Sequence, residues 1–308
     1  MWNFARWASI LSIIGTAAAF PTSALAGGSD GALTSELFDE LKFYAQHAGA
    51  VYCNVDHASA GDAIFCTNNG CPRVMKNNAT LSTVAKGFVS GIGAYVAVDH
   101  VRNEVVVSVR GTTNIRNFAT DIRILRKDID NIVKGGEVHA GFLAAWNEIS
   151  DTILSGVQDA LETNSGYRLV AVGHSLGSGT AAVGASYLRQ RYPDVDFFGY
   201  GMPRVGNAIF ADFFSHDAAG GSTYRIENYN DAAPAIVPRF LGYKHTETEY
   251  WLSTGPANKV DYAIDEIKVC KGDPNDCSGS LPIKDITGSA HRYILSDLYA
   301  CGGLKVIP

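Results

Sequence analysis

One stretch, Tyr167 to Ala182, constrains the fold of this chain more than any other. An apolar run, Leu169-Val170-Ala171-Val172, stops at Gly173-His174-Ser175-Leu176-Gly177 and gives way at once to the small residues Ser178-Gly179-Thr180-Ala181-Ala182. A short β-branched run that passes without a loop into helix-compatible sequence reads as strand, tight turn and helix, the unit of an α/β sheet. Further strand-like runs occupy Gly87 to Val98, Val105 to Val109, Val195 to Tyr200 and Thr223 to Asn228. Helical spacing recurs between them. Thr34 and Ser35 precede Leu37, Phe38, Leu41, Tyr44, Ala45 and Ala48, which share one helix face. Trp146, Ile149, Ile153, Val157, Ala160 and Leu161 repeat in the same way, and a further helix is expected near Asn207 to Phe214. Strands alternating with helices predict a mostly parallel central sheet flanked by helices on both faces. No repeat or linker divides residues 27–308, which read as a single domain.

The first 26 residues read as an export signal. Arg6 is followed by an apolar stretch from Trp7 to Phe20, then Pro21 and the small-residue pattern Ala24-Leu25-Ala26. The mature chain is expected to begin near Gly27 and to be extracellular, with no permanent membrane anchor. Six cysteines in an exported chain are expected to pair. The spacings 66/71 and 270/277 suggest two local clips, which leaves Cys53 and Cys301 as partners. Asn78-Ala79-Thr80 is a glycan acceptor sequence. No Cys-x-x-Cys or histidine pair has metal-ligand spacing, so no metal is expected. A formal charge of −6 without a basic cluster argues against nucleic acid.

Gly-x-Ser-x-Gly occurs twice, around Ser175 and in Gly27-Gly28-Ser29-Asp30-Gly31. Only Ser175 stands between a strand and a helix, the context that exposes a nucleophile on a strained turn and aims a helix N-terminus at a developing oxyanion. Ser29 reads as an accident. A serine nucleophile needs a base and an acid, in the chain order Ser, Asp or Glu, His. Asp231, where a strand gives way to a turn, is the candidate acid. Of the downstream histidines His216, His245 and His291, the last two follow Asp231, and His291 is the better placed, in a loop that opens an apolar stretch. His174 reads as a packing residue. The backbone N–H of Leu176 and that of Thr112, at the end of the run Val105 to Val109, are the expected oxyanion donors. Ile115, Phe118, Ala119 and Ile122 then fall at i, i+3, i+4 and i+7, a short two-faced helix fit to cover an apolar pocket.

Val109-Arg110-Gly111-Thr112-Thr113-Asn114-Ile115-Arg116-Asn117, Gly173-His174-Ser175-Leu176-Gly177, Tyr200-Gly201-Met202-Pro203-Arg204-Val205-Gly206-Asn207 and Asn230-Asp231 together make the chain resemble the secreted fungal class 3 lipases from about Leu37 to Cys301. The resemblance implies an α/β-hydrolase fold with a short helical lid. It makes Ser175 the nucleophile, Asp231 the acid, His291 rather than His245 the base, and Thr112 and Leu176 the oxyanion donors. The lid would run from Thr113 to about Leu125 and carry Ile115, Phe118 and Ile122. The family's bridges match Cys53 with Cys301 and Cys66 with Cys71, and Cys270/Cys277 is similar to a pair in related feruloyl esterases. Two departures stand out: Phe118 replaces a lid tryptophan found in several members, and Gly177-Ser178-Gly179 replaces Gly-Gly-Ala. The expected activity is cofactor-free hydrolysis of long-chain acylglycerols, triacylglycerol foremost, through an acyl-enzyme at an oil-water interface, by a monomer. A mono- and diacylglycerol lipase or a feruloyl esterase of the same fold, and more remotely a non-catalytic lipid-binding protein, are the rivals.

Overall fold

The structure is a computed structural model that describes residues 33–111, 125–215, 220–271, 277–280 and 288–301. The expected signal segment 1–26, Ser29, Thr112, the lid residues Ile115, Phe118 and Ile122, and His216 lie outside the described residues. In chain order the strands are β1 (Thr80–Lys86), β2 (Gly93–Asp99), β3 (Glu104–Arg110), β4 (Arg126–Asp128), β5 (Glu137–His139), β6 (Arg168–His174), β7 (Asp196–Tyr200), β8 (Thr223–Asn228), β9 (Glu249–Leu252) and β10 (Ile267–Cys270). The helices are α1 (Ser35–Asn54), α2 (Pro72–Lys76), α3 (Ala140–Thr163), α4 (Leu176–Arg189), α5 (Ala208–Ser215) and α6 (Gly288–Arg292).

Eight strands form one sheet in the order β1-β2-β3-β6-β7-β8-β9-β10, and β4 and β5 make a separate ladder. In the large sheet β3, β6, β7, β8 and β9 run parallel, while β1, β2 and β10 join antiparallel at the edges. Successive side chains of a strand point to opposite faces, so the near-continuous apolar runs supply two cores. Val106, Val170, Val172, Phe198 and Tyr200 pack on the face covered by α1. Val105, Val107, Val109, Leu169, Ala171 and Phe197 pack on the other, against residues of α3 and α4.

Thr34 caps α1, its hydroxyl accepting from the Leu37 amide at 3.1 Å. The expected single apolar face understates this helix, which is buried around most of its girth. The cause is the C-terminal segment: a Cβ on Gly49 would lie 3.3 Å from Leu298 Cα. The bridge Cys53–Cys301 ties that segment to the end of α1, and Cys66–Cys71 and Cys270–Cys277 are the other two disulfides. Asn78 is exposed in a turn with φ +52.

The expected strand from Gly87 to Val98 is corrected. Residues 87–92 are a turn, closed by the Gly87 amide donating to Ile92 O at 2.8 Å and by Gly91 at φ +66. β2 begins only at Gly93, and the preceding strand β1, with its mid-strand Ser82 and Thr83, carries too weak an apolar alternation to announce itself.

Candidate active site

The C-terminal ends of the parallel strands converge on Ser175, which links β6 to α4 with φ +59 and ψ −132. Few non-glycine residues hold such a backbone, and the neighbours show what enforces it. A Cβ on Gly173 would sit 2.4 Å from Ser178 Cα, and one on Gly177 would sit 2.3 Å from Val109 O. Glycine at both positions therefore lets α4 start directly against β6 and β3. The Ser175 amide donates to Tyr200 O at 2.9 Å, which seats the turn on β7. The amides at the start of α4, that of Leu176 first among them, have no intrahelical acceptor and face the site with the positive end of the helix dipole.

Beyond β7, Gly201 takes φ +56, and its missing side chain makes room for two partners. A Cβ there would lie 2.7 Å from Asp231 Oδ2 and 3.0 Å from His291 Nδ1. Those two atoms are themselves 2.7 Å apart. Because an ionised carboxylate only accepts, this bond fixes the proton on His291 Nδ1 and leaves the Nε2 lone pair open. The second oxygen of Asp231 accepts from the Ala233 amide at 2.9 Å, which holds the carboxylate in its turn. Ser175 Oγ and His291 Nε2 are both buried and have no hydrogen-bond partner among the described residues.

His245, the rival base, is placed elsewhere. Its Nε2 donates to Pro234 O at 3.1 Å, and burial together with Arg225 and Arg204 holds its pKa well below 6.5. His174 is more than a packing residue. Its Nε2 donates to His291 O at 3.0 Å, its Nδ1 accepts from the Tyr52 hydroxyl at 2.9 Å, and its ring lies 4.5 Å from that of His291. Burial, and then the nearby His291, keep it neutral by pushing its pKa well below 6.5. The Tyr52 hydroxyl in turn accepts from the Gly111 amide at 3.1 Å. Gly111 is packed so closely that a Cβ on it would stand 3.0 Å from Ser175 Cβ, which brings the chain up to the nucleophile one residue before Thr112.

Tyr52, Gly201 and Asn228 are the contributors that sequence reasoning passed over. Asn228, at the end of β8, donates to Ala290 O at 3.0 Å and Tyr293 O at 2.6 Å, clamping the segment that carries His291. Only Gly201 had a local signal, a glycine directly after a strand. The second departure from the family pattern also has a physical account: a Cβ on Gly179 would meet the Phe142 ring at 2.7 Å, so the α3–α4 contact requires glycine there.

Comparison with known proteins gives the family. The sequence model for Lipase (class 3) matches residues 106–241. Secreted mono- and diacylglycerol lipase 1 of Fusarium solani is 40% identical over 305 residues, spanning 97% of this chain and 90% of that protein. Secreted mono- and diacylglycerol lipase A of Penicillium cyclopium is 34% identical over 243 residues, 78% of this chain and 77% of its own length. Among solved structures, a mutant form from Penicillium cyclopium superposes with a TM-score of 0.80 at 31% identity, covering 87% of this chain and 99% of that one. The mono- and diacylglycerol lipase from Aspergillus oryzae gives 0.78 at 29% identity, with the same coverage. The chain thus belongs to the class 3 lipase family and is a secreted carboxylic ester hydrolase with an α/β-hydrolase fold.

Proposed function

We propose that the protein hydrolyses acylglycerol esters through an acyl-enzyme formed on Ser175. The observation that carries this reading is the pair of buried, otherwise unpartnered atoms Ser175 Oγ and His291 Nε2, in a site where Asp231 has already fixed the proton on the far side of the imidazole. Ser175 Oγ attacks the ester carbonyl as His291 Nε2 takes its proton, and Asp231 stabilises the imidazolium. The Leu176 and Thr112 amides receive the oxyanion, and His291 returns the proton to the departing glyceride alcohol. Water, deprotonated by the same nitrogen, then releases the fatty acid. Mono- and diacylglycerols are the substrates favoured by likeness to the Fusarium solani and Penicillium cyclopium proteins. Triacylglycerol is the second reading, favoured by the lid-like spacing of Ile115, Phe118 and Ile122.

The test is hydrolysis of monoolein, diolein, triolein and methyl ferulate by the purified secreted chain, beside Ser175→Ala and fluorophosphonate labelling. One adduct on Ser175, and oleate release that Ser175→Ala lowers by about 10⁴-fold or more, are expected. Release from monoolein and diolein but not from triolein supports the partial-glyceride reading, and release from triolein supports the other. Undiminished activity in the serine variant overturns the mechanism.

A further inference from the structure

The most exposed large apolar side chains include Phe88, Val89, Leu125 and Phe240, which are 100%, 88%, 61% and 87% exposed. Scattered apolar residues on a surface need no explanation, but these share an end of the molecule. Phe88 and Val89 occupy the turn from β1 to β2. Gly93, which ends that turn, pairs with Arg110, level with the C-terminal end of β6 that carries Ser175. Leu125 lies at the N-terminal end of α3, its carbonyl accepting from the Ala140 amide at 2.8 Å. The Phe240 loop is joined to it by Arg126, which donates to Gly242 O at 3.0 Å. The four side chains therefore bracket segment 112–124 at both of its ends. By contrast Val101, exposed in the β2–β3 turn, stands at the opposite end of the sheet.

The Phe88 turn is also held in shape. The Glu148 carboxylate accepts from the Val89 amide at 2.9 Å and the Ser90 amide at 3.0 Å, and Arg110 donates to Gly91 O at 3.3 Å. A turn fixed by a side chain of α3 presents its apolar pair to solvent with little conformational freedom left to lose on binding.

We infer that Phe88 and Val89 on one side, and Leu125 and Phe240 on the other, are anchors that seat the molecule on a lipid surface independently of segment 112–124. The inference rests on the lipase reading given above. It commits to an uncharged or zwitterionic surface. Lys86 and Arg110, the cations beside the Phe88 turn, are both paired to Asp56, and the chain's formal charge of −6 disfavours anionic lipid. Burying aromatic and branched side chains in the interfacial layer is the favourable term.

The test compares wild type with Phe88→Ser/Val89→Ser and Phe240→Ser by flotation with triolein droplets and with phosphatidylcholine vesicles, and by hydrolysis of dissolved p-nitrophenyl butyrate. Each variant is expected to bind both surfaces at least about tenfold more weakly while hydrolysing the soluble ester at the wild-type rate. A Phe88→Trp variant is expected to shift its emission to shorter wavelength on vesicles. Undiminished flotation with no emission shift overturns the inference. So does loss of a dimer in sedimentation with lipid binding intact, which would make the patch a contact between copies. Failure of wild type to hydrolyse any ester would instead remove the lipase reading, since flotation and the tryptophan signal do not depend on turnover.

Discussion

Tyr52 serves the site through a single hydroxyl, which accepts from the Gly111 amide and donates to His174 Nδ1. Phenylalanine at this position would fill the same space but leave a buried amide and a buried imidazole nitrogen unpaired, a loss of about 1–3 kcal/mol for each unsatisfied group. Because Gly111 leads into Thr112 and His174 holds the carbonyl of His291, Tyr52→Phe is expected to lower kcat by about tenfold or more with KM nearly unchanged. Steady-state kinetics beside urea unfolding checks this: lost stability with kcat intact would mean that the hydroxyl serves the fold alone. Such a role was illegible in the sequence. Ser175, Asp231 and His291 are separated by fixed chain order and turn chemistry, whereas Tyr52 lies 59 residues before Gly111 and 122 before His174 in an ordinary helical stretch. The glycines were more readable than the tyrosine, since a strand that ends at Gly-x-Ser-x-Gly already demands close approach at Gly173 and Gly177.

Helix α4 shows what those small residues do at the next scale. Its glycines are seats for neighbours: Gly177 under the end of β3, Gly179 under Phe142, and Gly184 under Trp146, where a Cβ would meet the indole at 2.6 Å. Alanine at 184 presses on a side chain of α3, which can yield, so Gly184→Ala is expected to cost about 1–3 kcal/mol of stability and leave kcat unchanged. Alanine at 177 presses on backbone, with Val109 O at 2.3 Å and Gly111 N at 2.6 Å. That backbone carries the expected oxyanion donor, so Gly177→Ala is expected to lower kcat by about 100-fold or more. Thermal unfolding and kcat measured on both variants separate the two effects, and equal kcat losses would contradict this division. Elements with a strong apolar period were legible: α1, α3, β3, β6, β7 and β8 fall where the pattern placed them. The edge strands β1 and β10 were not, because an edge strand meets water on part of its surface and its residues need not alternate cleanly. Nor was β9, which is buried between β8 and β10 but is only a four-residue run opened by the charged Glu249.

Over the whole molecule, buried titratable groups make the acid response a difference between two opposed sets. Burial lowers the pKa of His47 to about 3 and of His139 to about 4, and holds His174 and His245 well below 6.5. An unfolded chain protonates these imidazoles below pH 6.5 while the native state does not, so their contribution is present above 6.5 and is lost as pH falls toward the folded value. Glu227 acts in the opposite sense. Fully buried, with one oxygen on Arg225 and the other without a partner among the described residues, it is held protonated well above 4.5. Its contribution is present below 4.5 and is lost as pH rises, because only the unfolded carboxyl then ionises. Near pH 5.5 His139, with its pKa at about 4, changes the slope of unfolding free energy by about 1.4 kcal/mol per pH unit, and Glu227 acts with the opposite sign. His139→Asn retains a side-chain acceptor for the Gly141 amide at the start of α3 and is expected to flatten the rise of stability with pH between 4 and 6.5 by that amount. Glu227→Gln retains an acceptor for Arg225 and is expected to steepen it. Urea midpoints of both variants across this range decide the matter: parallel curves for wild type and His139→Asn would mean that the native imidazole is protonated, and that burial at the start of α3 does not exclude its charge.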